Sequence, residues 1–257
     1  MNILFIASEA AGLVKSGGLA DVAKALPLQL LANGHNVKVV IPCYTFIKDY
    51  LNFPIIGKGE LNSAQTNADM HIPFQIRKTT MNDNLEIWLI ECQRYFDRTS
   101  LYGDNNQAYG DNGERFAFFS AAAIEAAKVM NFKPDIVHCN DWHTALIPVY
   151  LRESYNGDPL YDPIKTVFTI HNLKFQGIWD LKTFKKFTNL PDYIFTPDKL
   201  EFKKDANMLK GGLVYADYIT TVSNTYAYEI QTPYYGEGLD GLLRAKHLQL
   251  RGILNGI

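Results

Sequence analysis

"NILFIASEAAGLVKSGGLADVAKALPLQLLANGHNVKVVIP", residues 2–42, decides the fold. It opens on an apolar run over 2–8, passes Lys15 and the glycines Gly17 and Gly18, and goes on as a helical pattern over 19–34. Leu19, Val22, Leu26 and Leu30 keep the spacing of one helix face, and Gly34 suits the residue just past a helix end. Pro27 predicts a kink or an irregular turn inside that helix. Residues 36–42 then read as a second buried strand. Strand, helix and strand in so short a span predict a βαβ unit.

The rhythm breaks and then returns. Residues 53–61, 68–80 and 85–92 read as strands, partly antiparallel, with 81–84 as a turn. A long polar loop, "FDRTSLYGDNNQAYGDNGE" (96–114), follows; loops of that length are often functional. The spacing predicts a helix over 114–130, with Asp111 and Glu114 as a capping box. Strands are expected at 134–141, 164–172 and 217–223, and a last one begins at 251. Helices are expected at 142–154, 202–216, 224–231 and 238–247. The alternation implies an α/β fold with a mostly parallel, doubly wound sheet.

The chain has 257 residues, 47% of them hydrophobic, enough for one large domain or two small ones. A formal charge of −2 gives no general attraction to nucleic acid or anionic membranes. No apolar run reaches the length of a spanning helix, and no basic residue precedes the N-terminal apolar run, so a soluble, cytoplasmic protein is expected. Cys43, Cys92 and Cys139 are odd in number and widely spaced, which predicts reduced, buried thiols. The end at "ILNGI" predicts a cut at a domain boundary.

In an open parallel sheet, ligands bind beyond the carboxyl ends of the strands, so the strand-to-helix loops hold the candidate chemistry. The Lys15-Ser16-Gly17-Gly18 turn suits a phosphate: helix-start N–H groups point at an anion, glycines let it approach, and the lysine adds charge. A plain glycine turn with a solvated lysine is the alternative. The spacing is neither GxGxxG nor GxxxxGKS, which disfavours a nicotinamide-dinucleotide site and an ordinary P-loop. In "HCNDWHTA" (138–145) Asp141 could cap a helix. Metal binding by His138, Asp141 and His143 is disfavoured, because strand and helix geometry point the three side chains apart. Asp141 and His143 facing a polar ligand is the better functional reading. His171, at a strand end, is placed for a ligand contact, beside Asn172, which could make a turn. Tyr102, Tyr109, Asp111, Asn112 and Arg115 suit carbohydrate, with a solvated loop before a capped helix as the alternative. The lysine clusters at 182–186 and 203–204 read as solvated faces.

Together, "SEAAGLVKSGGLADVAKALP", "DNGERFAFF", "PDIVHCNDWHTALIP", "FTIHNLKFQG", "LKGGLVYADYITTVSNTYAYEI" and "ILNGI" resemble the N-terminal half of bacterial glycogen synthases and plant starch synthases, in register and in order from Met1 to Ile257. The resemblance implies two Rossmann-like domains facing a cleft, the GT-B fold, with 1–257 as the first and small antiparallel additions between about residues 50 and 95. It implies transfer of glucose from ADP-glucose to the non-reducing end of an α-1,4-glucan such as glycogen, with retention and without a metal or other cofactor. Lys15 and the amides of Gly17 and Gly18 would lie against the donor's diphosphate and glucose. His171 would hold a sugar hydroxyl and lend electrostatic support, not act as nucleophile. Asp141 would sit in the sugar cleft with Tyr102, His143 and Asn172, and Asn255 near the hinge and nucleotide. Family members continue into a second domain that supplies an essential glutamate, an arginine, a lysine and most of the nucleotide pocket. The isolated chain is therefore expected to fold but not to transfer. A stand-alone glucan-binding module is the alternative. A phosphorylase is disfavoured because no motif supplies its pyridoxal-phosphate lysine.

Overall fold

The structure is a computed structural model that describes residues 1–62, 71–82 and 84–256. In chain order its elements are β1 (Asn2–Ile6), α1 (Gly18–Ala32), β2 (Asn36–Pro42), β3 (Ile55–Leu61), β4 (Ile72–Met81), β5 (Leu85–Glu91) and α2 (Gln93–Phe96). There follow β6 (Gly103–Asp104), β7 (Gln107–Ala108), α3 (Asn112–Val129), β8 (Ile136–Asn140), α4 (Leu146–Glu153), β9 (Lys165–Ile170), β10 (Ile178–Asp180) and α5 (Leu181–Thr188). The chain closes with β11 (Glu201–Phe202), β12 (Asp205–Asn207), α6 (Met208–Tyr215), β13 (Tyr218–Thr221), α7 (Asn224–Glu229), α8 (Asp240–Ala245) and β14 (Leu250–Gly252).

One large sheet runs β14-β13-β9-β8-β1-β2-β5-β4-β3. From β14 to β5 every pairing is parallel; β4 and β3 add an antiparallel edge. The Rossmann-like α/β architecture and its antiparallel additions are thus as expected. β1, with Leu4, Phe5 and Ile6 almost free of solvent, lies mid-sheet because its apolar run can be covered on both faces. From β1 the chain steps to β2 on one side, and much later returns through α3 to β8 on the other. The loops leaving β1 and β8 therefore diverge, which opens a crevice at the carboxyl ends of the central strands.

Several local expectations need correction. Of the two readings at Pro27, the irregular turn falls: α1 continues through Pro27, whose ring is buried, and the lost hydrogen bond is tolerated in a helix held by its inner face. Asp111 and Glu114 form no capping box. The Asp111 carboxylate accepts from Arg98 at 2.8 Å and that of Glu114 from the Tyr95 hydroxyl at 2.7 Å, so salt and ring contacts win over the cap. The helix expected over 202–216 starts only at Met208. Lys203 and Lys204 take left-handed φ of 54° and 74° and turn β11 into β12, and Asn207 caps α6 by accepting the Lys210 N–H at 2.9 Å. Gly34 ends α1 with φ of 84°, as its position predicts. Cys43, Cys92 and Cys139 are buried and unbonded. Residues 68–70 of the fourth expected strand, Asp83 of the expected turn and Ile257 lie outside the described residues.

Candidate active site

A cleft of about 690 Å³ opens at the crevice. Its walls come from the loops after β1 (Glu9, Ser16, Gly17, Gly18), β8 (Asp141, Trp142, His143), β9 (His171, Asn172, Phe175) and β13 (Val222), with Asn255 beyond β14 and Tyr102 and Asn112 from the long polar loop. Five strand ends thus feed one site. Of the residues predicted from sequence, Gly17, Gly18, Tyr102, Asp141, His143, His171, Asn172 and Asn255 all line it. Lys15 does not: it stands on the rim, half exposed, with Nζ on both carboxylate oxygens of Asp21 at 2.7 and 2.8 Å. A second cleft of about 700 Å³, beside the antiparallel edge, contains none of the predicted residues.

The wall after β8 and β9 is built of buried polar groups that hold one another. Asp141 Oδ1 accepts the backbone N–H of His171 at 2.7 Å and of Asn172 at 3.3 Å. The cap reading of Asp141 is thereby replaced, since no N–H of its own helical turn reaches the carboxylate. Asp141 also takes φ of 55° and ψ of −178°, a region close to glycine-only, which costs roughly 1–3 kcal/mol and clusters at functional sites. Burial pushes its carboxyl up to about 7, against the pull of the two N–H groups, and nearby Glu9 pushes the same way.

His171 owes its tautomer to Asn140. The Asn140 amide nitrogen donates to the Ile6 carbonyl at 2.9 Å, which turns Oδ1 toward His171 Nε2, also at 2.9 Å. Nε2 therefore carries the proton and donates, leaving Nδ1 as an acceptor. Burial pushes the imidazole down to about 4, so it is neutral at pH 7. His143 is also neutral, pushed down to about 3 by burial and then by Arg115. Its ring lies among Trp142 (4.2 Å), Phe116 (4.6 Å) and Tyr102 (4.7 Å, 26° from coplanar). Its Nδ1 is buried with no hydrogen-bond partner among the described residues. Buried polar atoms are nearly always paired, so this unpaired nitrogen directly behind the cleft wall is an exception in the fold. Tyr102 is fixed by its hydroxyl, 2.8 Å from Ser8 Oγ.

The wall after β1 is mostly backbone. A Cβ on Gly17 or Gly18 would meet no protein atom within 4 Å, so no packing demands these glycines. They leave bare the amino end of a 15-residue helix, whose first-turn N–H groups lack partners within the helix. Glu9, only 3% exposed, reaches back to accept the Ser16 N–H and so pins the loop that carries the glycines. Burial raises its pKa above the ordinary carboxylate value.

Other candidates fall elsewhere. His138 is a core residue, its Nε2 2.6 Å from Thr169 Oγ1 and its ring against Phe5. Arg115 is fully buried and donates to the carbonyls of Tyr95 and Leu101 and to Asn112 Oδ1, while Tyr109 packs against its guanidinium. Both are structural; from that loop only Tyr102, Asn112 and Ala108 reach the cleft. Among the described residues no three His, Cys, Asp or Glu side chains gather as a metal site, and no helix is long and apolar enough to cross a membrane.

This site can be set against known proteins. A family model described as the starch synthase catalytic domain matches residues 2–245. The chain belongs to that family. The whole chain aligns at 48% identity with a glycogen synthase of Lachnospira eligens and at 44% with one of Lachnoclostridium phytofermentans, covering 52% of each. It thus spans about half the length of the curated relatives it matches. The catalytic domain of starch synthase IV from Arabidopsis thaliana, solved bound to ADP and acarbose, superposes with a TM-score of 0.83 at 30% identity, over 99% of this chain and 51% of that one. As a starch synthase-type glycosyltransferase domain, the chain has its cleft where the fold puts ligands. Sequence reasoning missed Glu9, Ser8, Trp142 and Phe175. The signal for Glu9 was a lone carboxylate between a buried strand and a glycine turn, and for Phe175 an aromatic beside a strand-end histidine.

Proposed function

We propose that residues 1–257 form the acceptor-side, part-catalytic domain of a two-domain enzyme that transfers glucose from ADP-glucose to the non-reducing end of an α-1,4-glucan, with retention. The observation that carries this is the wall of Asp141, His143 and His171. Two neutral imidazoles and a carboxyl near neutrality, with Asp141 and His143 buried and His171 half-buried, line one cleft and suit an uncharged ligand dense in hydroxyls. His171 Nδ1 accepts from a sugar hydroxyl, the His143 ring forms the floor beside it, and Asp141 accepts or donates according to its protonation. None of these groups is required as a nucleophile; their part is to hold the sugar and the charge around it. Across the cleft, the amides at Gly17 and Gly18 face the diphosphate. Lys15 joins them once it leaves Asp21, and together they offset the charge that gathers on the departing nucleotide. Asn255 completes the nucleotide edge. No metal or other cofactor has a part in this scheme, and its soluble substrates suit a cytoplasmic protein.

The reaction needs donor and acceptor oriented together, so half a cleft gives little turnover. The second half of the relatives' length would carry the rest of the donor site. The test is transfer of labelled glucose from ADP-glucose or UDP-glucose to glycogen, by the chain alone and by the chain fused in frame to the second half of the Lachnospira eligens protein. Transfer by the fusion from ADP-glucose, with none by the chain alone, is expected. Enzyme-like turnover by the chain alone, or a folded fusion that binds glycogen yet transfers from neither donor, would sink the reading.

A further inference from the structure

Beyond α7 the chain runs through "QTPYYGEGL", residues 231–239. Tyr234 is 83% exposed and Tyr235 48%, and their rings meet edge to face at 4.6 Å. Tyr228, at the end of α7, is bare as well. Single exposed aromatics are ordinary, but adjacent rings held out on one short loop are not.

The loop is firmly held. Gly236 N–H donates to the Thr232 carbonyl at 2.8 Å, Leu239 N–H to the Gly236 carbonyl at 2.7 Å, and Arg244 to the Gln231 carbonyl at 2.7 Å. Buried Ile230 and Leu239 anchor its two ends. At Gly236 a Cβ would stand 2.4 Å from that of Asp240, so the turn is also tight. Its place is beside the cleft: Gln176 Nε2 donates to the Glu237 carbonyl at 3.1 Å, and Gln176 follows Phe175, an exposed ring on the cleft wall.

We propose that Tyr234 and Tyr235 form an accessory α-glucan platform at the cleft rim, holding chain that extends beyond the acceptor site. The inference rests on the reading of the cleft as a glucan site and adds a place where longer glucans gain affinity. The chemistry of the loop selects the ligand. The loop's one charged side chain is the acidic Glu237, which disfavours an anion, and its large aliphatic residue, Leu239, is buried, which disfavours an apolar protein surface. Tyrosine rings offer large, rigid, amphipathic faces at small entropy cost. Their faces pack on the C–H faces of glucose units, and their hydroxyls reach the sugar hydroxyls.

The test measures binding of maltose, maltoheptaose and glycogen to the chain, by calorimetry and by retardation in glycogen-containing gels. Three proteins are compared: the unaltered chain, Tyr234→Ala/Tyr235→Ala, and Asp141→Asn. Both tyrosines are exposed, so the double variant should keep its urea midpoint. It is expected to bind glycogen and maltoheptaose about tenfold more weakly, with maltose binding unchanged. Tyr234→Phe/Tyr235→Phe, which keeps the ring faces, should retain most of the affinity. Unchanged glycogen binding in the double alanine variant, or equal weakening toward maltose, overturns the proposal. So does altered self-association in sedimentation without altered glucan binding. The cleft reading fails separately. If Asp141→Asn binds glucan normally while the tyrosine variant does not, the platform stands and the cleft reading falls. If the unaltered chain binds no glucan, both fall.

Discussion

The two walls of the cleft are built on opposite plans. The wall after β8 and β9 is side chains: Asp141 and His143 are buried and His171 half-buried, His171 is held by Asp141 and Asn140 and His143 by aromatic rings, and all three are shifted from their ordinary protonation. Apart from buried Glu9 beneath it, the wall after β1 is backbone and rim: bare glycines, a helix start, and an exposed Lys15–Asp21 pair. Folding maintains the first wall at a cost in strain and buried polarity. The glycine turn and the rim pair of the second carry little folding energy and are open to whatever faces them. Stability and activity should therefore separate, with changes in the first wall showing in both and changes in the turn and rim of the second showing mainly in transfer.

Acid gives the largest effect. Burial holds His138 and His143 down to about 3 and His171 down to about 4. A histidine depressed in this way gives stability that is complete above its unfolded value of about 6.5 and is lost as pH falls toward the folded value. Each contributes a slope of roughly 1.4 kcal/mol per pH unit in that window. Asp141, raised to about 7, works the other way: its contribution is complete below its unfolded value of about 3.9 and is lost progressively as pH rises to about 7. Glu9 is raised in the same sense. Urea midpoints should fall from pH 6.5 toward 4, and Asp141→Asn should steepen the fall by removing one opposing proton. A flat profile would mean that the three imidazoles are not buried neutral.

The buried wall should also be intolerant of truncation. His143→Ala removes a ring packed on Trp142, Phe116 and Tyr102, and a loss of about 3 kcal/mol in urea unfolding is expected. On the other wall, Gly17→Val should cost no more than about 1 kcal/mol, because its Cβ meets no protein atom and only the N-cap preference for glycine is lost. In the two-domain fusion it should slow transfer about tenfold by crowding the helix-start amides. If Gly17→Val instead unfolds the chain, the two walls are not separable in the way described.

The same contrast explains what was legible in the sequence. The sheet was legible because its strands are apolar runs between turn signals, and burial on both faces demands that pattern. The glycine turn, Asp141 and His171 were legible because strand ends are where a parallel sheet presents ligands. Local geometry was less so. Lys203 and Lys204 adopt left-handed φ with no residue type to announce it, and the helix pattern after them hid the β11–β12 turn. Arg115 read as a carbohydrate contact because sequence cannot show that its guanidinium is sunk among the carbonyls of Tyr95 and Leu101. Lys15 was expected at the cleft but stands outside its lining, and its partner was not foreseen: Asp21 lies six residues on, across the start of α1, where only the folded turn brings the two together.

That pair gives the smallest expected effect on folding and the sharpest test of the open wall. Both side chains are about half exposed, and exposed ion pairs contribute roughly 0–1 kcal/mol. Asp21→Asn should shift the urea midpoint by less than about 0.5 kcal/mol, and the shift should shrink further in salt. Its effect on the donor side has a definite sign. Lys15 Nζ is engaged by Asp21, so on the proposed function donor binding has to break that pair. Freed of it, the two-domain fusion should bind ADP more tightly while Lys15→Ala binds it less tightly, and the double variant should match Lys15→Ala. Calorimetry with ADP at low and high salt decides this. If Asp21→Asn weakens ADP binding as much as Lys15→Ala does, Asp21 orients the lysine toward the phosphates rather than withholding it.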